Sequence, residues 1–288
     1  MTSGNAKGRS GFSADIAAVL QSGGIENAAG EAHFITEYLT GVSYPAFIAG
    51  MGEYDMKLLS QKAEEICRRR IKGEPLQYIF GEWDFFGMTF KVGKGVLIPR
   101  ADTEVLAEEA VRLRKGHDAT NYIDLCSGSG CVAAAVARYL KGVRGCAAEK
   151  SEEAFSYLKE NLSVHAPEIC PCLEDVLLPE TAAKHTGLDL ITANPPYLTK
   201  EDMENLQREV TYEPSLALFG GDDGLMFYRE LTRIWKNSLK DGGYILFEVG
   251  MGQHRDVMDI LRENGFCEIR SVCDLSGTER VVIGRKER

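Results

Sequence analysis

The sequence predicts an α/β protein whose main feature is a doubly wound, mostly parallel, seven-stranded sheet. An N-terminal helical domain and a β-hairpin linker are expected before it. From residue 120 onward, short apolar runs alternate with helical stretches. This alternation builds a parallel sheet that is covered by helices on both faces. Before residue 75 the apolar spacing is helical only, and the stretch between is rich in aromatic residues and glycines, which is typical of a hairpin.

The composition is that of a globular protein with a sizeable core. The chain has 288 residues, of which 44% are hydrophobic and 26% are charged. No apolar run approaches the roughly 18 residues that a membrane span needs. Acidic residues outnumber basic ones by 43 to 33, for a net charge of −10. Proteins held by phosphate contacts usually carry a basic surplus, so a protein or small molecule is favoured over nucleic acid as partner.

The first quarter of the chain is expected to be a flexible leader over residues 1–11 and a helical bundle over residues 12–75. The leader is polar and has no apolar stretch like that of a secretory signal. Helices are predicted in the bundle over residues 12–21, 27–40 and 55–71. No residue pattern for catalysis lies there, so the bundle is interpreted as a substrate-recognition element.

A β-hairpin linker is predicted over residues 76–98, where four glycines punctuate the aromatic and β-branched residues. The catalytic domain is then expected to cover residues 99–288. Asp102 is placed to N-cap its first helix, which would run to about residue 115.

The alternating region supplies the strands and helices of the sheet domain. Strands are predicted over 121–125, 143–148, 169–173, 188–193, 244–249, 266–273 and 280–285, and helices over 131–140, 152–165, 224–239 and 253–264. No helical pattern separates the last two strands, so they are expected to form an antiparallel pair at one edge.

The eight cysteines predict no metal site. None forms a CxxC pair, and no Cys/His grouping has zinc-finger spacing. Cys170-Pro171-Cys172 would suit a metal or redox pair, but the apolar neighbours Ile169 and Leu173 favour a short buried strand. Reduced thiols in a cytoplasmic protein are therefore expected.

A glycine-rich loop is predicted where the first strand of the sheet meets its helix, with the sequence Asp124-Leu125-Cys126-Ser127-Gly128-Ser129-Gly130. Glycines there permit a tight turn and let a ligand approach bare backbone. Glu149 ends the next strand, where a carboxylate can accept hydrogen bonds from ribose hydroxyls, and Asp175 follows the third strand. The loop nearly fits a dinucleotide fingerprint. A carboxylate at Asp124 and an overall negative site favour S-adenosylmethionine, whose ammonium and sulfonium groups are cationic.

The segment Asn194-Pro195-Pro196-Tyr197 follows the fourth strand, where open α/β sheets bind ligands. Two prolines fix the backbone and remove two donors, so the segment offers rigid acceptors. The Asn194 side-chain oxygen and the Pro195 carbonyl can both accept from one planar NH2 group, while Tyr197 lies against its plane. This cradle suits methylation of a weakly nucleophilic nitrogen, for which orientation matters more than a strong base.

Together these segments resemble S-adenosylmethionine-dependent methyltransferases that act on planar NH2 groups. The stretches GVLIPRADTEVL (95–106) and EPSLALFGGDDGL (213–225), the aromatic hairpin and the N-terminal helices narrow the resemblance to the peptide chain release factor glutamine methyltransferases. It covers about residues 12–288. It implies methyl transfer to the side-chain amide nitrogen of the glutamine in the Gly-Gly-Gln motif of class 1 release factors.

The resemblance also implies the role of each site residue. Cys126, Ser127, Gly128, Ser129 and Gly130 would hold the methionine part of the cofactor, and Glu149 its ribose. Asp175 and Val176 would flank the adenine, and Asn194, Pro195, Pro196 and Tyr197 would hold the glutamine. Asn194 is expected to touch the cofactor as well. Cys126 stands where the family usually has glycine, and its side chain is expected to crowd the cofactor's carboxylate.

Other functions fit part of the sequence. Glutamine methylation of a ribosomal protein, or methylation of an exocyclic amine in RNA or DNA, would use the same cradle. A nucleotide-binding dehydrogenase would explain the glycine loop but not Asn194 to Tyr197, which a silent docking module would also leave unexplained. The expected partner is a release factor, with no direct nucleic acid and no membrane, in the cytoplasm.

Overall fold

A computed structural model describes residues 3–287 of the chain. It divides into two compact units, one that ends at Gly81 and one that begins at Glu82. None of the helices in residues 3–287 combines the length and apolar character needed to cross a bilayer.

The N-terminal unit is entirely helical, as predicted. Its helices are α1 (Ser3–Ser22), α2 (Ala28–Thr40), α3 (Tyr44–Ile48), α4 (Met56–Ile71) and α5 (Leu76–Phe80). Asp55 caps α4, because its carboxylate accepts from the backbone N–H groups of Lys57 and Leu58 at 3.0 and 3.1 Å. The apolar stripe on α4 is buried in a core that includes Phe47.

Two expectations for this part of the chain are wrong. The leader expected over residues 1–11 is helical from Ser3, and residues 1 and 2 lie outside the described part. The buried Arg9 side chain donates to the carbonyls of Phe47 and Met51 at 2.8 and 2.7 Å. The hairpin expected from residue 76 begins later, because residues 76–80 form α5 and pack Leu76 and Ile79 into the helical core.

The hairpin belongs to the second unit and consists of β1 (Glu82–Phe85) and β2 (Met88–Lys91), paired antiparallel. Phe86 and Gly87 form its turn with φ of +52° and +69°, as a two-residue turn of this hand requires. Phe85 is buried in the same core as the sheet's helices, so it packs the hairpin against them. The hairpin is thus part of the core rather than a free linker.

The sheet has seven strands, as predicted: β3 (Thr120–Leu125), β4 (Val143–Glu149), β5 (Ile169–Leu173), β6 (Leu188–Ala193), β7 (Leu239–Glu248), β8 (Phe266–Cys273) and β9 (Glu279–Lys286). Their order is β5-β4-β3-β6-β7-β9-β8. The first five are parallel, and β9 runs antiparallel to both neighbours. The chain moves outward from β3 to β5 and then returns beside β3, so strand order reverses between β3 and β6. Ligands bind at such a reversal in open α/β sheets.

Helices cover both faces of this sheet: α6 (Glu104–Arg114), α7 (Cys131–Tyr139), α8 (Glu152–His165), α9 (Pro179–Lys184), α10 (Lys200–Glu204), α11 (Met226–Trp235) and α12 (His254–Glu263). The helix predicted to reach residue 239 ends at Trp235, and β7 begins at Leu239 rather than at residue 244. The predicted cap at Asp102 is also wrong. Asp102 lies in a 3-10 turn before α6 and pairs with Arg280 at 2.8 Å.

Candidate active site

A cavity of about 350 Å³ lies where the polypeptide leaves β3, β4, β5 and β6. Its volume is within the roughly 300–1,000 Å³ of small-molecule sites. Most of the expected site residues line it: Asp124, Cys126, Ser127, Gly128, Ser129, Glu149, Asp175, Val176, Asn194 and Pro196. Gly130, Pro195 and Tyr197 are not among its lining residues.

The glycine-rich loop turns tightly at the end of β3. Cys126, Gly128 and Gly130 have φ of +56°, +54° and +81°. Gly130 is the N-cap of α7, and its left-handed φ favours glycine; a Cβ there would also lie 2.7 Å from Cδ1 of Leu158. The Ser127 N–H donates to the Ala148 carbonyl at 3.0 Å, which holds the loop against β4.

Asp124 lies buried beneath this loop. Ser127 Oγ donates to one of its carboxylate oxygens, and Thr192 Oγ1 donates to the other at 2.6 Å. Burial raises the pKa of Asp124 to about 7, against the opposite effect of these two hydrogen bonds. A cationic ligand in the cavity would therefore favour the ionised form of this carboxyl group.

Cys126 occupies a backbone conformation that suits glycine. Its φ of +56° is left-handed, which costs a residue with a Cβ roughly 1–2 kcal/mol. Burial, with Glu149, Asp124 and Asp175 nearby, raises the pKa of the thiol well above its ordinary value. The side chain at the cavity wall is thus a neutral thiol rather than a thiolate.

Glu149 holds the loop in position from the end of β4. Its two carboxylate oxygens accept from the backbone N–H groups of Gly128 at 2.9 Å and Ser151 at 2.7 Å. Each oxygen has further lone-pair capacity, so both can also accept from a ligand hydroxyl.

Asp175 and Val176 form the part of the wall that follows β5. Asp175 accepts from the Leu177 N–H at 3.0 Å and pairs with Lys150 Nζ at 2.7 Å. Partial burial acts to raise the pKa of Asp175, but the Lys150 ammonium group holds it below its ordinary value. The Val176 carbonyl accepts from the Trp235 indole at 2.9 Å, so its backbone position is set by the core.

Asn194 stands where the main cavity meets a second cavity of about 130 Å³. It lines both, and Tyr197, Arg100 and Glu248 line the smaller one. Asn194 Nδ2 donates to Thr103 Oγ1 at 3.3 Å. Because this contact engages the amide nitrogen, the Asn194 oxygen is left as the acceptor for a ligand.

Glu248 is a buried carboxyl group at the end of β7. Its Oε2 has no hydrogen-bond partner among the described residues. Burial raises the pKa of Glu248 to about 7, opposed by the Thr103 hydrogen bond and by Arg280. Neither Thr103 nor Glu248 was predicted as a site residue, although the position of Glu248 at the carboxyl end of a strand is a signal that could have found it.

The segment Asn194–Tyr197 is held in place by hydrogen bonds and close packing from neighbouring residues. The Leu198 N–H donates to the Leu218 carbonyl at 2.8 Å, and Gln253 Nε2 donates to the Tyr197 carbonyl at 3.0 Å. A Cβ on Gly220 would lie 2.6 Å from the Pro196 oxygen. The 213–225 stretch therefore serves as a close-packed support for the segment.

Arg100 and Glu213 join two stretches of the cavity wall. The Arg100 guanidinium pairs with the Glu213 carboxylate, which also accepts from the Ile98 N–H at 3.1 Å. Glu213 is buried. Burial raises its pKa, against the opposite effect of Arg100. The pair positions residues 98–100 against residues 214–217, and both stretches line the cavity.

Two family models match parts of this chain, and several known proteins are similar to it in sequence. Residues 14–81 match a family model described as the PrmC N-terminal domain, and residues 108–233 match one described as conserved hypothetical protein 95. A release factor glutamine methyltransferase of Geobacter sulfurreducens is 38% identical over 271 residues, which are 92% of each chain. One of Fusobacterium nucleatum is 41% identical over 77% of this chain, and the alignment spans 63% of that relative's length.

Solved structures are similar in fold. The hMettl16 catalytic domain, bound to a 3′UTR hairpin, aligns with a TM-score of 0.54 and 16% identity over 78% of this chain and 81% of its own. A methyltransferase from Pyrococcus furiosus aligns with a TM-score of 0.50 and 14% identity over 71% of this chain and 91% of its own.

Proposed function

The chain belongs to the release factor glutamine methyltransferase family, and we propose that it methylates the side-chain amide nitrogen of the glutamine in the Gly-Gly-Gln motif of class 1 peptide chain release factors. The methyl donor is S-adenosylmethionine. The observation that carries the proposal is the place of Asn194, which lines both the larger cavity and the smaller one that contains Tyr197. A group held by Asn194 would thus meet a cofactor held in the larger cavity.

The residues of the larger cavity fit this cofactor. The volume of the larger cavity is about 350 Å³. The glycine-rich loop, with its positive φ angles, exposes backbone to the cavity. Three carboxyl groups lie along the wall, those of Asp124, Glu149 and Asp175. Cys126 to Ser129 would hold the methionine part, with Asp124 beneath them. Glu149 would accept from the ribose hydroxyls, and Asp175 with Val176 would flank the adenine.

The cofactor supplies an electrophilic methyl group when bound. The task of the protein is then to align a delocalised amide nitrogen, which is a weak nucleophile. The Asn194 oxygen and the Pro195 carbonyl accept the two N–H hydrogens, and the Tyr197 ring bounds the plane of the amide. The bound cofactor would give its methyl group to this nitrogen and leave as the neutral thioether, and one amide proton would be lost to solvent. Orientation of this kind can contribute several kcal/mol to lowering the barrier.

The remaining parts of the proposal concern partners and location. We assign recognition of the protein substrate to the helical unit, whose residues 12–75 enclose a core of their own and carry none of the proposed site residues. Direct binding of nucleic acid is not expected, because the net charge is −10. Action in the cytoplasm, where translation ends, remains part of the proposal.

The test is transfer of labelled methyl from S-adenosylmethionine to a purified class 1 release factor. A Gln→Ala variant of its Gly-Gly-Gln motif is the matched control, and ribosomal protein and bulk RNA are alternative acceptors. Label on the wild-type factor alone is the expected result. Label on the Gln→Ala variant, or on ribosomal protein or RNA in preference to the factor, would refute the proposed substrate.

A further inference from the structure

Three thiols lie together on the strands at one edge of the sheet. Cys146 on β4 is paired in register with Cys170 on β5, and Cys172 follows two residues later on the same strand. Alternate residues of a strand point to the same face, so Cys170 and Cys172 share one face. The sulfur atoms of Cys146, Cys170 and Cys172 all lie within 4.8 Å of one another.

The backbone that carries these thiols is well defined. β4 is paired on both sides, with β3 and with β5, and β5 is the edge strand. Pro171 separates Cys170 from Cys172 and fixes its own φ, which limits the freedom of the short edge strand. The three sulfur atoms are therefore held together before any ligand binds, which lowers the entropic cost of binding.

The cluster is open to solvent and separate from the proposed catalytic groups. Cys170 is exposed, and Cys146 and Cys172 are half-buried. None of the three lines the larger or the smaller cavity. The proposed methyl transfer thus gives no role to these three residues.

The side chains around the three thiols determine which protein atoms are available to bind a metal ion. Glu174 and His185 also lie within 4.8 Å of Cys172 by their ligand atoms. However, Glu174 already accepts from Lys184 Nζ and from His185 Nε2, each at 2.8 Å. The Cys170 and Cys172 thiols make long contacts to the backbone carbonyls of Pro171 and Cys170, at 3.8 and 3.7 Å. Sulfur ligands select soft or borderline ions such as Zn²⁺ over Mg²⁺ or Ca²⁺.

We propose that Cys146, Cys170 and Cys172 form a binding site for one thiophilic divalent cation of the Zn²⁺ class. Three protein sulfur atoms would bind the ion, and water would complete a four-coordinate site on the exposed side of Cys170. Each coordinating thiol releases one proton, so binding of M²⁺ by three thiols releases three protons and weakens as the pH falls. The proposal departs from the sequence-based expectation of no metal site, which relied on spacing within the chain and did not include the third sulfur that β4 brings to the pair on β5.

The experiment uses the full chain, reduced and stripped of metal. Zn²⁺ is titrated in competition with a chromophoric chelator, and Cd²⁺ is titrated to read the absorption of metal–thiolate bonds. We expect one equivalent of either ion, with thiolate absorption for Cd²⁺. Binding of the ion to the folded state should also raise the melting temperature.

Two variants and one control separate a real site from adventitious binding. Cys172→Ser and Cys170→Ser should each weaken Zn²⁺ binding at least tenfold, whereas Cys273→Ser, which alters an exposed thiol on β8, should leave it unchanged. Binding of S-adenosylhomocysteine would show that each variant is folded. Absence of Cd²⁺–thiolate absorption in the parent chain would overturn the proposal, and so would unchanged affinity in both folded variants.

Discussion

The side-chain nitrogen of Asn194 donates to the hydroxyl oxygen of Thr103 across 3.3 Å. Thr103 precedes α6, whereas Asn194 follows β6, so this contact joins two distant parts of the chain. Because Thr103 engages the amide nitrogen of Asn194, the oxygen side of that amide is left for a ligand.

Thr103→Val keeps the shape of the side chain but removes its hydroxyl. The Asn194 amide then loses its partner and is free to flip, so its oxygen no longer points consistently at the substrate. A hydrogen bond of this kind is worth about 1 kcal/mol, and more when a buried group is left unpaired. We expect kcat to fall about tenfold or more while the affinity for S-adenosylhomocysteine is kept. Thr103→Ser should restore activity, and a valine variant as active as the parent would contradict this role.

Asn194→Ala removes the proposed acceptor itself. Loss of one group that positions the reacting nitrogen costs roughly a hundredfold or more in kcat when alignment dominates. Cofactor binding should be largely intact, because most of the cavity wall is supplied by other residues. Calorimetry with S-adenosylhomocysteine and a methyl-transfer assay separate the two effects. Asn205→Ala, at an exposed position, is the matched control. Turnover at the parent rate in Asn194→Ala would exclude the proposed role.

Cys126 offers a test of backbone strain through the pair Cys126→Gly and Cys126→Ala. Alanine keeps the Cβ in a left-handed conformation with φ of +56°, whereas glycine adopts it freely. We expect the glycine variant to have the higher free energy of unfolding, by about 1 kcal/mol. The same pair of substitutions at Cys267, which pairs with Arg285 and is not among the residues with positive φ, should give the opposite order, because glycine weakens a strand where the backbone is not left-handed. Denaturant titration measures the free energy of unfolding of both pairs of variants. A higher free energy of unfolding for Cys126→Ala than for Cys126→Gly would refute the backbone strain at residue 126.

Gly220→Ala tests the support behind the Asn194–Tyr197 segment. The added Cβ would lie 2.6 Å from the Pro196 oxygen and from Cα of Tyr197, so the segment must move. A displacement near 1 Å at a positioning group can lower kcat about a hundredfold. Cofactor affinity should change much less. Gly11→Ala, where the new Cβ meets nothing within 4 Å, is the control and should leave activity unchanged.

The stability of the ligand-free protein should fall as the pH rises from about 4 to about 7. Burial raises the pKa of Asp124 and of Glu248 to about 7, against about 4 in the unfolded chain. Between these values the folded state holds protons that the unfolded state has released. Raising the pH therefore disfavours folding, by at most about 1.4 kcal/mol per pH unit for each group, until the folded-state pKa is passed.

Denaturant unfolding at a series of pH values measures this dependence. Asp124→Asn and Glu248→Gln should each make the curve flatter, whereas the exposed Asp118→Asn should not. A parent protein whose stability rises over this range, with the same slope in both variants, would contradict the raised pKa values.

Local sequence patterns predicted most of the fold. All seven strands were predicted from the alternation after residue 120, because the pattern of apolar and turn residues in each segment depends on that segment alone. Errors arose where distant partners decide the outcome. Residues 76–80 are helical because Leu76 and Ile79 enter the helical core, and Arg9 extends α1 because carbonyls near residues 47–52 accept from it.

In the candidate site, too, some parts were predicted from local sequence and others depend on distant partners. Contiguous residues such as Asp124–Gly130 and Asn194–Tyr197 could be recognised from the sequence by itself, since the chemistry and the backbone constraint of each lie within a few positions. Only the tertiary structure decided that Thr103 orients Asn194, that Glu248 lines the same small cavity, and that Cys146 joins Cys170 and Cys172. Strand pairing and helix packing bring these groups together from positions far apart in the chain. The number of residues between two such groups does not indicate that they lie close together in space.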